Sequence, residues 1–325
     1  MSAVGPAEID CAAAGLPDAL RATPCVRSEW LTAVAGRPVW LKLESLQPTH
    51  SFKVRGAWNA LRRMEDSTTP LVAASAGNHG AAMAWACDRV GRPLTVFTPR
   101  GAPHAKRARI AGLGATLRDE ASDYDDAERR ARTFAMATGA RFVSPYNDPD
   151  VIAGAGTVGR EVLAQVPGVD EIVVPLGGGG LAAGVALALP DRPAPPRVLA
   201  VEPAVSPAFS TALSAGRIVP IAVGETIADG LAGNLEAGSI TFDILRELAG
   251  PVVEVTTASE PAVRRSVVEA LLEEHLVMEG AAATAIAAVC ARGRTPGRTC
   301  TVVVVSGANI DPRRLVQLLD EAGHP

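Results

Sequence analysis

Aromatic side chains are scarce: six Phe, four Trp and two Tyr make up 4% of the 325 residues. The core must therefore be filled by the Ala, Val and Leu that carry most of the 48% apolar content. That mixture suits helices packed on parallel strands and excludes a disordered chain. A basic stripe is missing too. The formal charge is −4 with both signs interspersed, which excludes nucleic acid and membrane surfaces as partners. The five cysteines, Cys11, Cys25, Cys87, Cys290 and Cys300, show neither paired metal-ligand spacing nor a dense framework, so reduced thiols in a cytoplasmic setting are expected. The opening "MSAVGPAEIDCAAAGLP" lacks the basic start and long apolar core of a signal peptide, so a secretory leader is not expected. No stretch reaches the roughly 20 apolar residues of a membrane span.

What is present is alternation. A chain of 325 residues exceeds the usual single core and predicts two lobes, or one large domain with an insertion. "PVWLKLE" (38–44) reads as a strand, "GAWNALRRM" (56–64) as a helix, and "PLVAAS" (70–75) as a buried strand feeding the helix "AGNHGAAMAWACDRVG". "PLTVFTP" (93–99) and "PHAKRARIAGLG" (103–114) continue as strand and helix, and "DYDDAERRARTFAMATG" has helical periodicity. "ARFVSPYNDPD" reads as a strand running into a proline-marked loop, where a lobe boundary is placed. Beyond it come the strands "EIVVPL" and "RVLAVE", the helices "LAAGVALAL" and "EPAVRRSVVEALLEEHL", and the final strand "TCTVVVVSG" (299–307). Right-handed α/β crossovers with chemistry at strand C-terminal ends are expected.

Four motifs carry chemistry. In "PLGGGGLAAG" the consecutive Gly177, Gly178, Gly179 and Gly180 lie between a strand and a helix; without Cβ atoms, their N–H groups and the helix start suit a phosphate. The bland alternative is a tight turn with no ligand. Gly178, Gly180 and Ala183 also satisfy a relaxed dinucleotide pattern, with Glu202 22 residues beyond Gly180, so an NAD-dependent oxidoreductase is the rival reading. The rival unit begins past residue 170 and leaves "HSFKVRG" and "SAGNHG" unused. "SAGNHG" (75–80) places a hydroxyl, an amide and an imidazole at a strand-to-helix junction, suited to an anionic oxygen, unless Ser75 is a simple N-cap. "VVVVSGANID" puts Ser306 at the end of a buried strand, where open α/β sheets present ligand groups and where Ser-Gly can also be only a turn. In "HSFKVRGA" a lysine stands between Phe52 and Val54. Alone, Lys53 reads as a solvated charge.

Together, a lysine, a phosphate loop, an oxygen-binding helix start and a strand-end hydroxyl are the parts that hold pyridoxal phosphate. The chain resembles the serine/threonine dehydratase and serine racemase family, the fold type II pyridoxal-phosphate enzymes. "SFKVRGA", "SAGNHG", "NDPDVIAGAGT", "VPLGGGGLAAG", "TIADGLAGN", "EGAAATAIAAV" and "VVVVSGAN" occur in that family's order and span nearly the whole chain. The resemblance implies a two-lobed, tryptophan synthase β-like α/β fold with open, mostly parallel sheets and helices on both faces. Residues 1–69 and 148–325 would form a large cofactor-binding domain, with 70–147 a small domain inserted in it. Lys53 would form the Schiff base, Phe52 would pack on the cofactor, and Asn78 would hydrogen-bond its 3-oxygen. Gly177 to Gly180 would cradle the phosphate, Ser306 would meet the pyridine nitrogen, and Glu279 would lie near the ring. Ser75, Ala76, Gly77 and His79, with their backbone amides, would meet the substrate carboxylate.

The implied activity is α,β-elimination from a small β-hydroxy amino acid, L-threonine or L-serine first, giving a 2-oxo acid and ammonia. A serine or hydroxyaspartate racemase, a hydroxyaspartate dehydratase, and a catalytically silent binding protein on the same fold are the alternatives. The departures discriminate among them. Racemases of the family carry a second serine, in "SSGNHG", where this chain has Ala76, so elimination is favoured. The family's divalent-metal site pairs an acid at Glu202 with an aspartate where this chain has Ala208, which leaves a monovalent cation or none as the expectation. Ala155 stands where many relatives carry glutamine. The resemblance further implies a homodimer, and the end of the chain soon after "SGANID" suggests that no C-terminal effector domain is present.

Overall fold

The computed structural model describes residues 4–191, 194–294 and 299–323. The chain opens with α1 (Pro6–Ala14), β1 (Cys25–Ser28), α2 (Glu29–Ala35), β2 (Val39–Leu43) and α3 (Lys53–Arg62). Four strands follow, β3 (Leu71–Ala74), β4 (Leu94–Pro99), β5 (Thr116–Ala121) and β6 (Arg141–Phe142), separated by α4 (Asn78–Val90), α5 (His104–Gly112) and α6 (Tyr124–Thr138). Helix α7 (Pro149–Gln165) leads to β7 (Glu171–Pro175), α8 (Gly180–Leu187), β8 (Arg197–Pro203), α9 (Ala208–Ala215), α10 (Ile240–Leu248) and β9 (Val253–Ala258). Then come α11 (Glu260–Glu274), α12 (Gly280–Arg292), β10 (Thr301–Val305) and α13 (Pro312–Glu321).

The strands form two sheets. One has six strands in the order β1-β2-β10-β7-β8-β9, parallel except where β1 meets β2. The other has four, in the order β5-β4-β3-β6, parallel throughout. The valine-rich strands are buried on both faces, as the apolar runs require. In β10, Val302 and Val304 pack into one apolar cluster and Val303 and Val305 into another. The same period of two sends Ile172 and Val174 of β7 to one side and Val173 to the other. Helices α7 and α8 cover one face and α11 and α12 the other, largely through Ala, Val and Ile. Among the described residues no helix is long and apolar enough to cross a membrane.

The fold departs from the sequence reading in informative places. Helix α3 begins at Lys53, three residues before the predicted start at Gly56. Strand β5, "TLRDEA", has no apolar run; it lies at the sheet edge, where solvent accepts its charged side chains. The predicted strand at 141 is only two residues long, and the proline-marked loop ends in an N-cap: the Asp148 carboxylate accepts from the Asp150 and Val151 N–H groups, with Pro149 first in α7.

Candidate active site

The order of the large sheet assembles the site. Strand β10, last in sequence, inserts between β2 and β7. Three parallel C-terminal ends are thereby neighbours, and the segments leaving them carry Lys53, Ser306 and the four glycines. The lysine segment is stitched to the end of β10. Ser51 bridges Gly307, the Phe52 N–H donates to the Ser306 carbonyl at 3.0 Å, and the Ala308 N–H donates to the His50 carbonyl at 2.9 Å. Two residues past Lys53, the wholly buried Arg55 anchors α3. It donates to Glu44 at 2.7 and 2.8 Å and to Glu161 at 2.7 and 2.8 Å, and Glu161 also accepts from the buried Lys42 at 2.6 Å. Positive and negative charges balance in this cluster, so its burial is compensated.

Lys53 is not a surface charge. It is half-buried at the first position of α3, its Nζ donates to the Pro145 carbonyl at 2.7 Å, and it lies 5.1 Å from the centre of the Phe52 ring. Burial pulls its pKa down to about 8, against the opposing pull of the Glu279 carboxylate. An amine so placed is partly neutral near neutrality, as Schiff-base chemistry needs.

The glycine loop is shaped by what a side chain would displace. Gly179 has φ +87°, and a Cβ on Gly178 would fall 2.2 Å from the Tyr146 ring. The ring lies directly against the loop, and α8 starts at Gly180 with its first N–H groups uncommitted to the helix. A phosphate fits such a cradle.

Helix α4 supplies the facing wall. Its N-cap is Gly77 rather than Ser75, whose Oγ accepts from the Gly77 N–H at 3.1 Å. Asn78 donates through Nδ2 to Glu279 Oε1 at 2.6 Å and accepts at Oδ1 from Asn309 Nδ2 at 2.6 Å, leaving one Nδ2 hydrogen for a ligand. Burial, with Asp229 nearby, pushes the Glu279 carboxyl up to about 7. His79 is buried, and its Nε2 lies 2.9 Å from the Val143 carbonyl. Burial and then the Lys53 charge hold its pKa down at about 3, so the ring is neutral and donates to that carbonyl. Nδ1 is then an acceptor, without a partner among the described residues. His79 therefore offers an anion its backbone N–H, not its imidazole.

All these groups line one cavity of about 690 Å³: Lys53, Phe52, Ser75 to His79, Gly177 to Gly180, Glu279 and Ser306. An amine, an anion cradle and a strand-end hydroxyl opening on one space fit pyridoxal phosphate. Glu202 is absent from this wall; its buried carboxylate accepts from the Phe209 N–H at 2.9 Å and the Ser210 N–H at 2.8 Å, holding the start of α9. Sequence reasoning passed over Pro145, Tyr146, Tyr124 and Glu236, which also line the cavity. The scarcity of aromatics held a signal: both tyrosines of the chain are in this wall.

Comparison with known proteins agrees with this geometry. Residues 16–307 match the family model described as pyridoxal-phosphate dependent enzyme. The L-threonine ammonia-lyase of Thermotoga maritima is 35% identical over 308 residues, which is 94% of this chain and 76% of that protein. The enzyme of the same name from Geobacter sulfurreducens is 38% identical over 298 residues, 91% of this chain and 73% of that one. Among solved structures, maize serine racemase superposes with a TM-score of 0.88 at 30% identity, covering 98% of each chain. The processed form of threonine deaminase isoform 2 from Solanum lycopersicum also gives 0.88, at 26% identity, covering 99% of this chain and 97% of the other. The family match spans the lysine, the glycine cradle and the strand-end serine that the fold gathers at one cavity, and the chain belongs to the pyridoxal-phosphate dependent enzymes.

Proposed function

We propose that the protein is a pyridoxal-phosphate-dependent ammonia-lyase that converts a small β-hydroxy amino acid, L-threonine or L-serine, to a 2-oxo acid and ammonia. The observation that carries this reading is the pairing of Lys53, an amine with pKa about 8, with Ala76 in the cavity wall formed by the start of α4. The cavity thus offers Lys53 as a base for the α-proton and no hydroxyl at position 76 to return a proton. Relatives named L-threonine ammonia-lyase at 35% and 38% identity support the same class. When bound, pyridoxal phosphate supplies an aldehyde for amine exchange and a ring that takes up charge as the Cα–H bond breaks.

The residues divide the remaining work. Ser75 and the N–H groups opening α4 bind the substrate carboxylate, which orients Cα–H toward Lys53. Lys53 Nζ, once free, takes that proton. Ser306, a neutral hydroxyl in the cavity wall, would hold the ring nitrogen by a hydrogen bond without protonating it, which would favour elimination of the β-hydroxyl over slower side chemistry. The water lost in elimination is regained when the released enamine hydrolyses, so the net products are the 2-oxo acid and ammonia. Similarity to maize serine racemase supports racemisation as the second reading, and Ala76 separates the two.

The test is 2-oxo acid release across L-threonine, L-serine and β-hydroxyaspartate, with L-to-D conversion followed in parallel. Pyruvate forming from L-serine faster than D-serine is expected. The reverse order would refute the assignment. Lys53→Ala should lose the bound cofactor's visible colour together with turnover.

A further inference from the structure

Glu236 lies in none of the chemical motifs, yet its carboxylate is a junction. Oε1 accepts from Ser144 Oγ at 2.8 Å, and Oε2 accepts from Asn147 Nδ2 at 2.9 Å and from an Arg132 N–H at 2.7 Å. Its backbone N–H donates to the Tyr146 hydroxyl at 2.9 Å. Both ends of the segment 144–147 are therefore pinned by one side chain. Between those ends sit two groups that meet the lysine and the glycine loop: the Pro145 carbonyl, which accepts from Lys53 at 2.7 Å, and the Tyr146 ring, against which a Gly178 Cβ would collide at 2.2 Å. The third partner, Arg132, comes from α6 beside the four-stranded sheet and also donates to Glu128 at 2.7 Å.

A solvated ion pair would be the ordinary explanation, and such pairs contribute little. Here the Glu236 side chain is only 13% exposed, and three separate donors converge on its carboxylate. Removing the charge leaves those donors without their acceptor in a partly dry site.

We propose that Glu236 is a positioning residue: by fixing the Pro145 carbonyl and the Tyr146 ring it sets the seat of Lys53 and the depth of the phosphate cradle, and Arg132 ties that seat to α6. The inference rests on the pyridoxal-phosphate reading above and adds a residue that acts through its neighbours. Glu236→Gln keeps the size and removes the charge. Apoenzyme titrated with pyridoxal phosphate and followed by visible absorbance should bind about tenfold more weakly than wild type. Arg132→Ala cuts the tie to α6 together with the bond to Glu128 and the contact with the Phe142 ring, but leaves Ser144 and Asn147 on Glu236; it should leave cofactor affinity within about twofold and, because Arg132 also lines the cavity, raise KM for L-threonine with little change in kcat. Ser144→Ala, which removes one Glu236 partner and is the gentler variant if Glu236→Gln does not fold, should weaken cofactor binding about threefold. Wild-type affinity in Glu236→Gln, or in Ser144→Ala where that variant stands in, overturns this inference alone. So does an Arg132→Ala variant that loses cofactor as badly as Glu236→Gln. A wild-type apoenzyme that binds no pyridoxal phosphate overturns the underlying reading and this inference with it.

Discussion

The two sheets are built differently, and the site divides between them accordingly. The six-stranded sheet buries β2, β7, β8 and β10 almost completely, with apolar clusters on both faces. Lys53, Gly177 to Gly180 and Ser306 leave the ends of its central strands, so they inherit the stiffness of a close-packed core. The four-stranded sheet has one large cluster and one small one, and its edge strand β5 alternates exposed and half-buried residues. From its side come the start of α4 and the α6 residues Tyr124, Glu128 and Arg132 that line the cavity. The difference suggests a fixed cofactor seat facing a wall whose chemistry is easier to change.

That contrast can be broken most directly at the seat. Gly178→Ala would drive a Cβ to 2.2 Å from the Tyr146 ring, and overpacking costs up to about 3 kcal/mol, or about a hundredfold in cofactor affinity. Titration of the apoenzyme with pyridoxal phosphate reads this; binding within threefold of wild type would show that the loop can yield. Stability offers the second comparison. Val304→Ala, in a wholly buried strand, should cost about 2 kcal/mol in urea unfolding, whereas Glu120→Gln on the exposed side of β5 should stay within about 0.5 kcal/mol. Equal costs would erase the distinction between the sheets.

A smaller effect is expected where the two sides meet. The Glu279 carboxylate favours the Lys53 ammonium, against burial, so Glu279→Gln removes a charge that keeps the lysine protonated. The Lys53 pKa should then fall below its present value of about 8. Since the neutral amine is the reactive form, cofactor uptake by the apoenzyme should rise with pH through about 8 in the wild type and at lower pH in the variant. A limb that stays put or moves upward would show that Glu279 does not act on Lys53.

Which parts of this site could be read in advance follows from where each part's information lies. Lys53, the glycines, Asn78 and Ser306 sit in short motifs that are legible together: missing Cβ atoms between strand and helix, an amide at a helix start, a hydroxyl ending four valines, and a lysine that alone reads as a solvated charge and takes its meaning from the other three. The fold brings all of them to one cavity. Tyr146, Glu236 and Arg132 carry no such local mark, because their meaning is made by juxtaposition across about a hundred residues of chain. The insertion of β10 between β2 and β7 is equally silent, since a parallel strand's neighbours are set by packing rather than by adjacent turns. Strand β5 escaped because an edge strand with three consecutive charged residues lacks the apolar run that betrays its neighbours.

The smallest predicted effect tests the wall itself. Ala76 is half-buried in the cavity, next to Ser75 and one residue before the Gly77 N-cap, so a hydroxyl added there meets the cavity without entering the core. Ala76→Ser should leave cofactor affinity within about twofold of wild type, because Ala76 is none of the groups that hold Lys53 or shape the glycine cradle. It should also open a slow second route in which the new hydroxyl returns a proton to the opposite face of the α-carbon. The measurement is D-serine formation together with solvent deuterium at the α-carbon of recovered L-serine, against pyruvate formed in the same reaction. A trace of D-serine, small beside pyruvate, is expected, since one hydroxyl without an evolved network around it is a weak acid. If D-serine becomes the main product, a single wall residue sets the reaction outcome; if none forms while deuterium enters on the Lys53 face alone, position 76 does not reach the α-carbon and Ala76 cannot be what favours elimination.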